Sequence, residues 1–315
     1  MQRRFTAASL IVVAGLGLSL VGCGQVSKLQ ARKAYKEAIE LYKQQDYKRA
    51  ADKYKEAVDL DPNLTAAYFY LANSYDNQFK ATKRGDTTND EFLTKAIEYY
   101  KIAAEKDENP SQRKLAMQFL VNDYGVDKLN DPAQAEPILQ RMIEGDPSDL
   151  TYYFALAKLY DDAGQYEAEE QIFLRAKDVN PKDPNVYGQL AGFYNRQGEF
   201  DKTIEAFRQW QQIEPQNPVV YYTIAAFYWD KGSKDRTLKD AEKRQMADEG
   251  MKEIDKALQL KPDYIEGLVY KGLLLRLQAG LTTDKAVYDR LLREAQSYSD
   301  RANALQKKRA AGVVK

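Results

Sequence analysis

The chain of 315 residues contains no histidine and a single cysteine, Cys23. Those two shortages exclude Ser-His and Cys-His nucleophile systems and almost all zinc, haem and iron–sulfur ligation, which draw on imidazole and thiolate. No glycine-rich phosphate loop is present, since Gly15-Leu16-Gly17 lies inside an apolar N-terminal stretch. Net charge is missing as well. With 47 basic and 47 acidic side chains and no basic stripe, the chain lacks the electrostatic footprint of a nucleic-acid-binding protein. There is also no Gly-, Ser- or Pro-rich tract to serve as a domain linker. Carboxylate pairs such as Asp161-Asp162 and Glu169-Glu170 fall on polar helical faces, where they are expected to be solvated. The expectation is a non-enzyme, with no catalytic residue, metal, cofactor, small-molecule substrate or nucleic-acid partner.

What is present begins at the N-terminus. Arg3 and Arg4 precede an uncharged run from Phe5 to Gly22, most apolar between Leu10 and Val21. A basic start, a short apolar run and small residues before a cleavage point form a secretory signal layout. The run is at the lower limit of the roughly 20 apolar residues that a spanning helix needs, and Gly15 and Gly17 interrupt it. An ordinary cleaved signal or an uncleaved anchor fits these features too. Leu20-Val21-Gly22-Cys23 resembles a bacterial lipoprotein signal, in which the cysteine becomes the new N-terminus and carries a diacylglyceryl thioether. That resemblance implies a signal peptide over residues 1–22 and lipidation at Cys23. At about 0.8 kcal/mol per buried methylene, one acyl chain holds weakly and two or three anchor stably. Gly24 rather than Asp follows the cysteine, which by resemblance to enterobacterial sorting implies the outer membrane, facing the periplasm. Without residues 1–22 the chain keeps 45 basic against 47 acidic side chains, a net charge of −2.

The organising feature lies further on. Ser148 to Pro181 and Lys182 to Pro215 are both 34 residues long and place the same residue types at the same positions. The first has Tyr153, Leu156, Ala157, Tyr160, Gly164, Tyr166, Phe173, Ala176 and Pro181. The second has Tyr187, Leu190, Ala191, Tyr194, Gly198, Phe200, Phe207, Trp210 and Pro215. These spacings put the apolar positions of each half on one face of a helix. Ala157 and Ala191 let two helices approach closely, Gly164 and Gly198 suit a left-handed helix end, and Pro181 and Pro215 stop the second helix. The pattern resembles the tetratricopeptide repeat, a 34-residue helix-turn-helix unit that stacks because a single pair cannot bury its own apolar face. The resemblance implies an all-α fold, a right-handed α-solenoid of about seven such repeats, three with extended insertions between their helices.

After a tether over residues 23–30, the repeats are expected near 31–64, 65–110, 111–147, 148–181, 182–215, 216–262 and 263–305, followed by a basic tail, 306–315. Repeats two, six and seven are longer than the pattern by 12, 13 and 11 residues, close to three helical turns. Thr88 with Glu91 reads as a capping box for a delayed second helix in repeat two. In repeats six and seven, Thr237 and Thr283 are expected to start second helices extended backwards, and Gly232 and Gly280 to close the first helices. The cations Lys307, Lys308 and Arg309 read as a solvated helix end.

In this family the first helices line a concave surface that holds polypeptide segments. On that resemblance Tyr35, Phe69, Asn73, Phe154, Lys158, Tyr222, Trp229 and Tyr270 are candidate protein-binding residues, with Asp76, Asp161, Asn195 and Arg196 beside them. Trp229 is the foremost, because aromatic anchors dominate recognition sites. Packing between neighbouring helices is the alternative use of these rings, each burial contributing about 1.5–3 kcal/mol. Tyr35 stands where chaperone-binding members have a carboxylate-clamp lysine, so that ligand is not implied here. The resulting expectation is a lipid-anchored periplasmic scaffold that binds segments of other envelope proteins for assembly of an outer-membrane, pilus or cell-wall machine. A glycan-handling scaffold of a polysaccharide export system is the alternative, since 23 tyrosines offer stacking surfaces.

Overall fold

The structure is a computed structural model that describes the backbone of residues 12–312 and the side chains of residues 25–312. The start of the signal segment and the Cys23 side chain, to which the lipidation reading belongs, lie outside the described residues. Among the described residues there are fourteen α-helices, one short 3-10 turn and no strand. None of these helices is long and apolar enough to cross a membrane. The chain divides into two compact units, Met1–Glu169 and Glu170–Lys315.

Unit 1 holds α1 (Val12–Lys43), α2 (Tyr47–Leu60), α3 (Ala66–Asp76), α4 (Thr87–Lys106), α5 (Pro110–Asp123), α6 (Pro132–Gly145) and α7 (Leu150–Asp162). The division falls within α8 (Tyr166–Val179). Unit 2 continues with α9 (Pro184–Arg196), α10 (Phe200–Ile213), α11 (Pro218–Lys234), α12 (Asp240–Leu260), α13 (Ile265–Gly280) and α14 (Lys285–Ala310). Within each unit the helices form successive hairpins of a helical-solenoid kind, α1/α2, α3/α4 and α5/α6 in unit 1 and α9/α10, α11/α12 and α13/α14 in unit 2.

Local chemistry sets the helix starts. Asn109, Asp183 and Asn217 each precede a proline at the first helical position, and each side chain accepts a hydrogen bond from the backbone N–H two residues on. The proline costs nothing there, because that N–H has no helical partner. The tight turns are closed by left-handed residues: Gly164 (φ 68°) and Gly198 (φ 74°), and in the first hairpin a non-glycine, Gln45 (φ 61°).

A second local device was not evident in the residue pattern. Tyr68, Tyr153, Tyr187 and Tyr221 donate their hydroxyls to the carbonyls of Pro62, Pro147, Pro181 and Pro215, six residues earlier, at 3.3, 3.1, 2.8 and 3.0 Å. The repeat's first aromatic thus clips the preceding turn as well as filling the core. Tyr160 and Tyr194 reach one helix further back, donating to Glu136 and Glu170 at 2.8 Å. Glu170 is therefore a hydrogen-bond acceptor and Glu169 is buried, so the reading of that pair as a solvated face is corrected.

The long repeats differ from expectation in their details. In repeat six, α11 and α12 extend to 17 and 21 residues, against 13 and 14 for α9 and α10. Gly232 lies inside α11 and does not close it; a Cβ there would come within 3.0 Å of Met246 and 3.1 Å of Leu277, so its task is close packing. α12 starts at Asp240 rather than Thr237, and α14 at Lys285, capped by Asp284 rather than Thr283, while Gly280 does end α13. In repeat two the cap is Asp86, which accepts from Asn89, and not Thr88. Residues 23–30, read as a tether, are helical: α1 runs through them into the first hairpin. Lys307, Lys308 and Arg309 occupy the last turn of α14, as the dipole favours.

Gln45 holds a conformation that costs L-residues about 1–2 kcal/mol and glycine little. Gln45→Gly is expected to stabilise the protein by up to about 1 kcal/mol, seen as a higher urea midpoint. An unchanged or lower midpoint would show that the Gln45 side chain compensates.

Candidate functional site

In unit 2 the first helices of two successive hairpins, α11 and α13, bring aromatic side chains to one surface, beside Asn195 of α9. α11 reads Val219-Val-Tyr-Tyr-Thr-Ile-Ala-Ala-Phe-Tyr-Trp229, apolar on every face. One face is consumed by packing, with Val220, Tyr221, Ile224, Ala225 and Tyr228 buried. The surplus, Tyr222, Ala226, Phe227 and Trp229, is left half-buried. A helix that is apolar all round is either enclosed or has a second partner for the face it does not bury.

Tyr270 of α13 organises that surplus. Its ring meets Tyr222 at 5.2 Å and 82°, and Trp229 at 5.6 Å and 86°, while Tyr222 also meets Tyr264 at 5.4 Å and 76°. These edge-to-face contacts fix the rings in the orientation their quadrupoles favour. Beside them is a shallow cavity of about 220 Å³ lined by Asn195 of α9, Ala226, Phe227 and Asp230 of α11, and Tyr270. Asp230 pairs with Lys234 one turn on. Burial pushes the Tyr222 phenol above its ordinary value and Tyr264 up to about 12, so both remain neutral donors at physiological pH. The surface therefore presents rigid aromatic anchors, one amide and a charge-paired rim.

Of the sequence-predicted site residues, Asn195, Tyr222, Trp229 and Tyr270 come together here, and Arg196 lies exposed beside Asn195. Sequence reasoning missed Phe227, Asp230 and Tyr264. The signal available was the unbroken apolar run of α11, which a search for one amphipathic face discards.

The remaining candidates lie in unit 1 and are put to other uses. Phe69 is only 8% exposed and packs against Tyr70, Tyr100 and Phe119. Asn73, 6% exposed, accepts from Tyr42 at 2.6 Å and from Asn77 at 2.8 Å and donates to Tyr100 at 2.9 Å, so its amide is engaged inside the fold. Both residues are structural here, which corrects their placement on a binding surface; the cause is the aromatic density of α1 to α5, which needs a polar hub for its hydroxyls. Tyr35 is half-buried against Tyr54. On α7, Phe154 is half-buried, and exposed Lys158 pairs with Asp162 and, at 4.0 Å, Asp161.

Asp76 is likewise withdrawn from any groove. Lys128, in the loop between α5 and α6, bridges Asp76 at 2.5 Å and Asp123 at 2.7 Å. The Asp123 side chain is fully buried and its second oxygen has no hydrogen-bond partner. Burial, with the Asp76 carboxylate, pushes Asp123 up to about 7 against the pull of Lys128. Desolvation opposes the Lys128 ammonium, but its hydrogen bonds to the two carboxylates outweigh that and raise it. The insertion of repeat two docks on the same loop, where Arg84 donates to the carbonyl of Val126 at 3.3 Å. Among the described residues no group of three Cys, Asp or Glu side chains is arranged to hold a metal ion.

The fold and this surface define a class, the all-α repeat proteins built from stacked helical hairpins. Family profiles described as tetratricopeptide repeat match residues 35–82 and 128–191, so these two stretches are tetratricopeptide repeats. Among solved structures it is similar to the C-terminal part of a TPR repeat-containing protein from Cytophaga hutchinsonii, at 14% identity and a TM-score of 0.53, over 86% of this chain and 98% of that one. It is also similar to a tetratricopeptide repeat protein from Parabacteroides merdae, at 16% identity and a TM-score of 0.43, over 85% and 99% of the two chains. A third is YrrB, described as a TPR protein with an unusual peptide-binding site, at 18% identity and a TM-score of 0.39, over 60% and 89%. No curated protein matches the sequence.

Because free Asp titrates near 3.9, a buried Asp123 that keeps its proton to about 7 contributes stability that is full in acid and is lost as pH rises through 7. Lys128→Met removes the cation that offsets this loss. It is expected to destabilise the protein by about 3 kcal/mol at pH 8 and by distinctly less at pH 5, measured by urea unfolding. Equal losses at both pH values would mean that Asp123 is ionised throughout.

Proposed function

We propose that the chain is a lipid-anchored scaffold of the bacterial cell envelope, whose solenoid holds a segment of another envelope protein. A tetratricopeptide-repeat protein is a protein-binding scaffold in general, and the proposal concerns what it binds and where. The observation that supports it most directly is the half-buried apolar surplus of α11, assembled with Tyr270 and Asn195. Trp and Tyr anchors of this kind bury large area at low entropic cost, and a neighbouring amide satisfies the backbone of an extended segment.

Anchoring is supported by Leu20-Val21-Gly22-Cys23, and an outer-membrane, periplasm-facing location by Gly24. Glycan handling is the weaker reading. Tyr222, Trp229 and Tyr270 turn edges and faces toward one another at 82° and 86°, an arrangement that spends ring faces internally instead of offering a flat sugar-stacking platform.

Site-directed photo-crosslinking from position 226 in intact cells is expected to yield discrete protein adducts. A Trp229→Ala, Tyr270→Ala double variant should lower their yield about tenfold or more, since truncating an anchor costs about 2 kcal/mol and each 1.4 kcal/mol is a factor of ten. Adducts to polysaccharide, or protein adducts indifferent to the double variant, would overturn the assignment.

A further inference from the structure

The proposed surface of unit 2 leaves the N-terminal half of α1 unexplained. Ala31, Ala34 and Ala38, at 0, 2 and 0% exposed, mark the face of α1 that packs inward on the first hairpin. At 100° per residue the opposite face carries Val26, Leu29, Arg32, Lys33 and Lys36, with Lys28 on its flank. All six are exposed, Val26 at 57% and Leu29 at 72%. No acidic residue occurs between Gly24 and Lys36; the first is Glu37, which meets Lys33 only at 4.0 Å between exposed side chains. An ion pair of that kind contributes little. Four cations and two large apolar side chains are thus exposed along this stretch; Lys33 also borders a recess with Asp52, Glu56 and Asp59 of α2, and no ion pair involves Lys28, Arg32 or Lys36 among the described residues.

We infer that this face of α1 lies along an anionic lipid surface, a reading that rests on the anchoring at Cys23 proposed above. Three observations fix the occupant. The charge is of one sign and complementary to phosphatidylglycerol-type headgroups, which attract basic segments beside a membrane anchor. The two apolar side chains sit among the cations, the composition of an interfacial helix rather than of a solvated one. The face also begins directly after the proposed anchor. Lys28 is five residues beyond Cys23, about 7.5 Å of helix at 1.5 Å per residue, and Lys36 about 20 Å beyond it. Charge attraction decays over about 8 Å at physiological ionic strength. An upright helix would leave all but Lys28 out of range, whereas a helix lying flat brings in all four. Since α1 is continuous from residue 23 into the first hairpin, the same contact sets the orientation of that hairpin to the membrane. The anchor is thereby a fixed mount and not a swivel.

The test uses the full mature chain, purified from envelopes with its N-terminal modification and bound to vesicles of phosphatidylethanolamine alone or with added phosphatidylglycerol. Flotation reads the anchor, and hydrogen–deuterium exchange of the peptide over residues 25–36 reads the face. Flotation on both vesicles, with exchange slowed several-fold only on the anionic ones and restored in a Lys28→Glu, Arg32→Glu, Lys36→Glu variant, would uphold the inference. Flotation on both with identical exchange would overturn it while leaving the anchor intact. If the chain does not float with neutral vesicles the anchor is wrong, and the face is then judged on anionic vesicles alone: flotation abolished by the triple reversal upholds it, and no flotation overturns it.

Discussion

The structure depends on one constraint: a pair of short amphipathic helices has nowhere to hide its apolar face except against the next pair. Fully buried alanines, Ala72, Ala157, Ala191 and Ala225, sit on the first helices where backbones come closest, and the aromatic ring four residues earlier fills the space that the alanine vacates. Tyrosine at that ring position does double duty. Its body is core, and its hydroxyl returns to the carbonyl of the proline that ended the previous hairpin. Burying the ring without that acceptor would leave a phenol unsatisfied, so packing and turn geometry are chosen together.

Given that constraint, the two units differ in what they do with apolar content beyond what stacking needs. Unit 1 is rich in aromatic residues, yet they turn inward. Tyr54 stacks on Tyr70, Tyr100 on Phe119, and Asn73 collects the hydroxyls of Tyr42 and Tyr100. Burial raises the Tyr100 phenol far above its ordinary value, so this is a network of neutral hydrogen bonds that rigidifies the unit. In unit 2 the α11 helix has more apolar surface than its neighbours can cover, and Tyr270 holds the excess in a defined arrangement instead of burying it. An ordered, half-exposed aromatic cluster loses little entropy when a partner arrives.

Charge is plentiful and used mostly locally. Most ion pairs join side chains three or four residues apart on exposed faces and contribute little. Among the pairs that reach further, such as Arg208 with Glu253 and Lys271 with Asp255, the most enclosed is Lys128 between Asp76 and Asp123, which ties the loop after α5 to the end of α3 just where the longest connector of unit 1 is docked by Arg84. That buried triad lets an irregular insertion sit against the stack without leaving its loop free to fray. Buried ion pairs of this kind are better at fixing position than at adding stability.

The repeat period, the helix hairpins and the backward extension of the second helices in repeats six and seven were legible in the amino-acid order, because each depends on neighbours within one or two turns, whereas the cap residues themselves were misplaced by one to three positions. Trp229, Tyr222, Tyr270 and Asn195 were picked out by the first-helix positions that the repeat resemblance assigns to the groove, and the structure brings them to one surface. What the order of residues left open was decided by contacts across tens of positions. Gly232 packs against Met246 and Leu277 and does not end its helix; Phe69 and Asn73 face inward because Tyr42, Tyr100 and Phe119 converge on them. Local hydrogen bonds and periodicity can be read from a string, whereas the choice between an aromatic that packs and one that waits for a partner depends on how much surface the neighbouring helices have left to give.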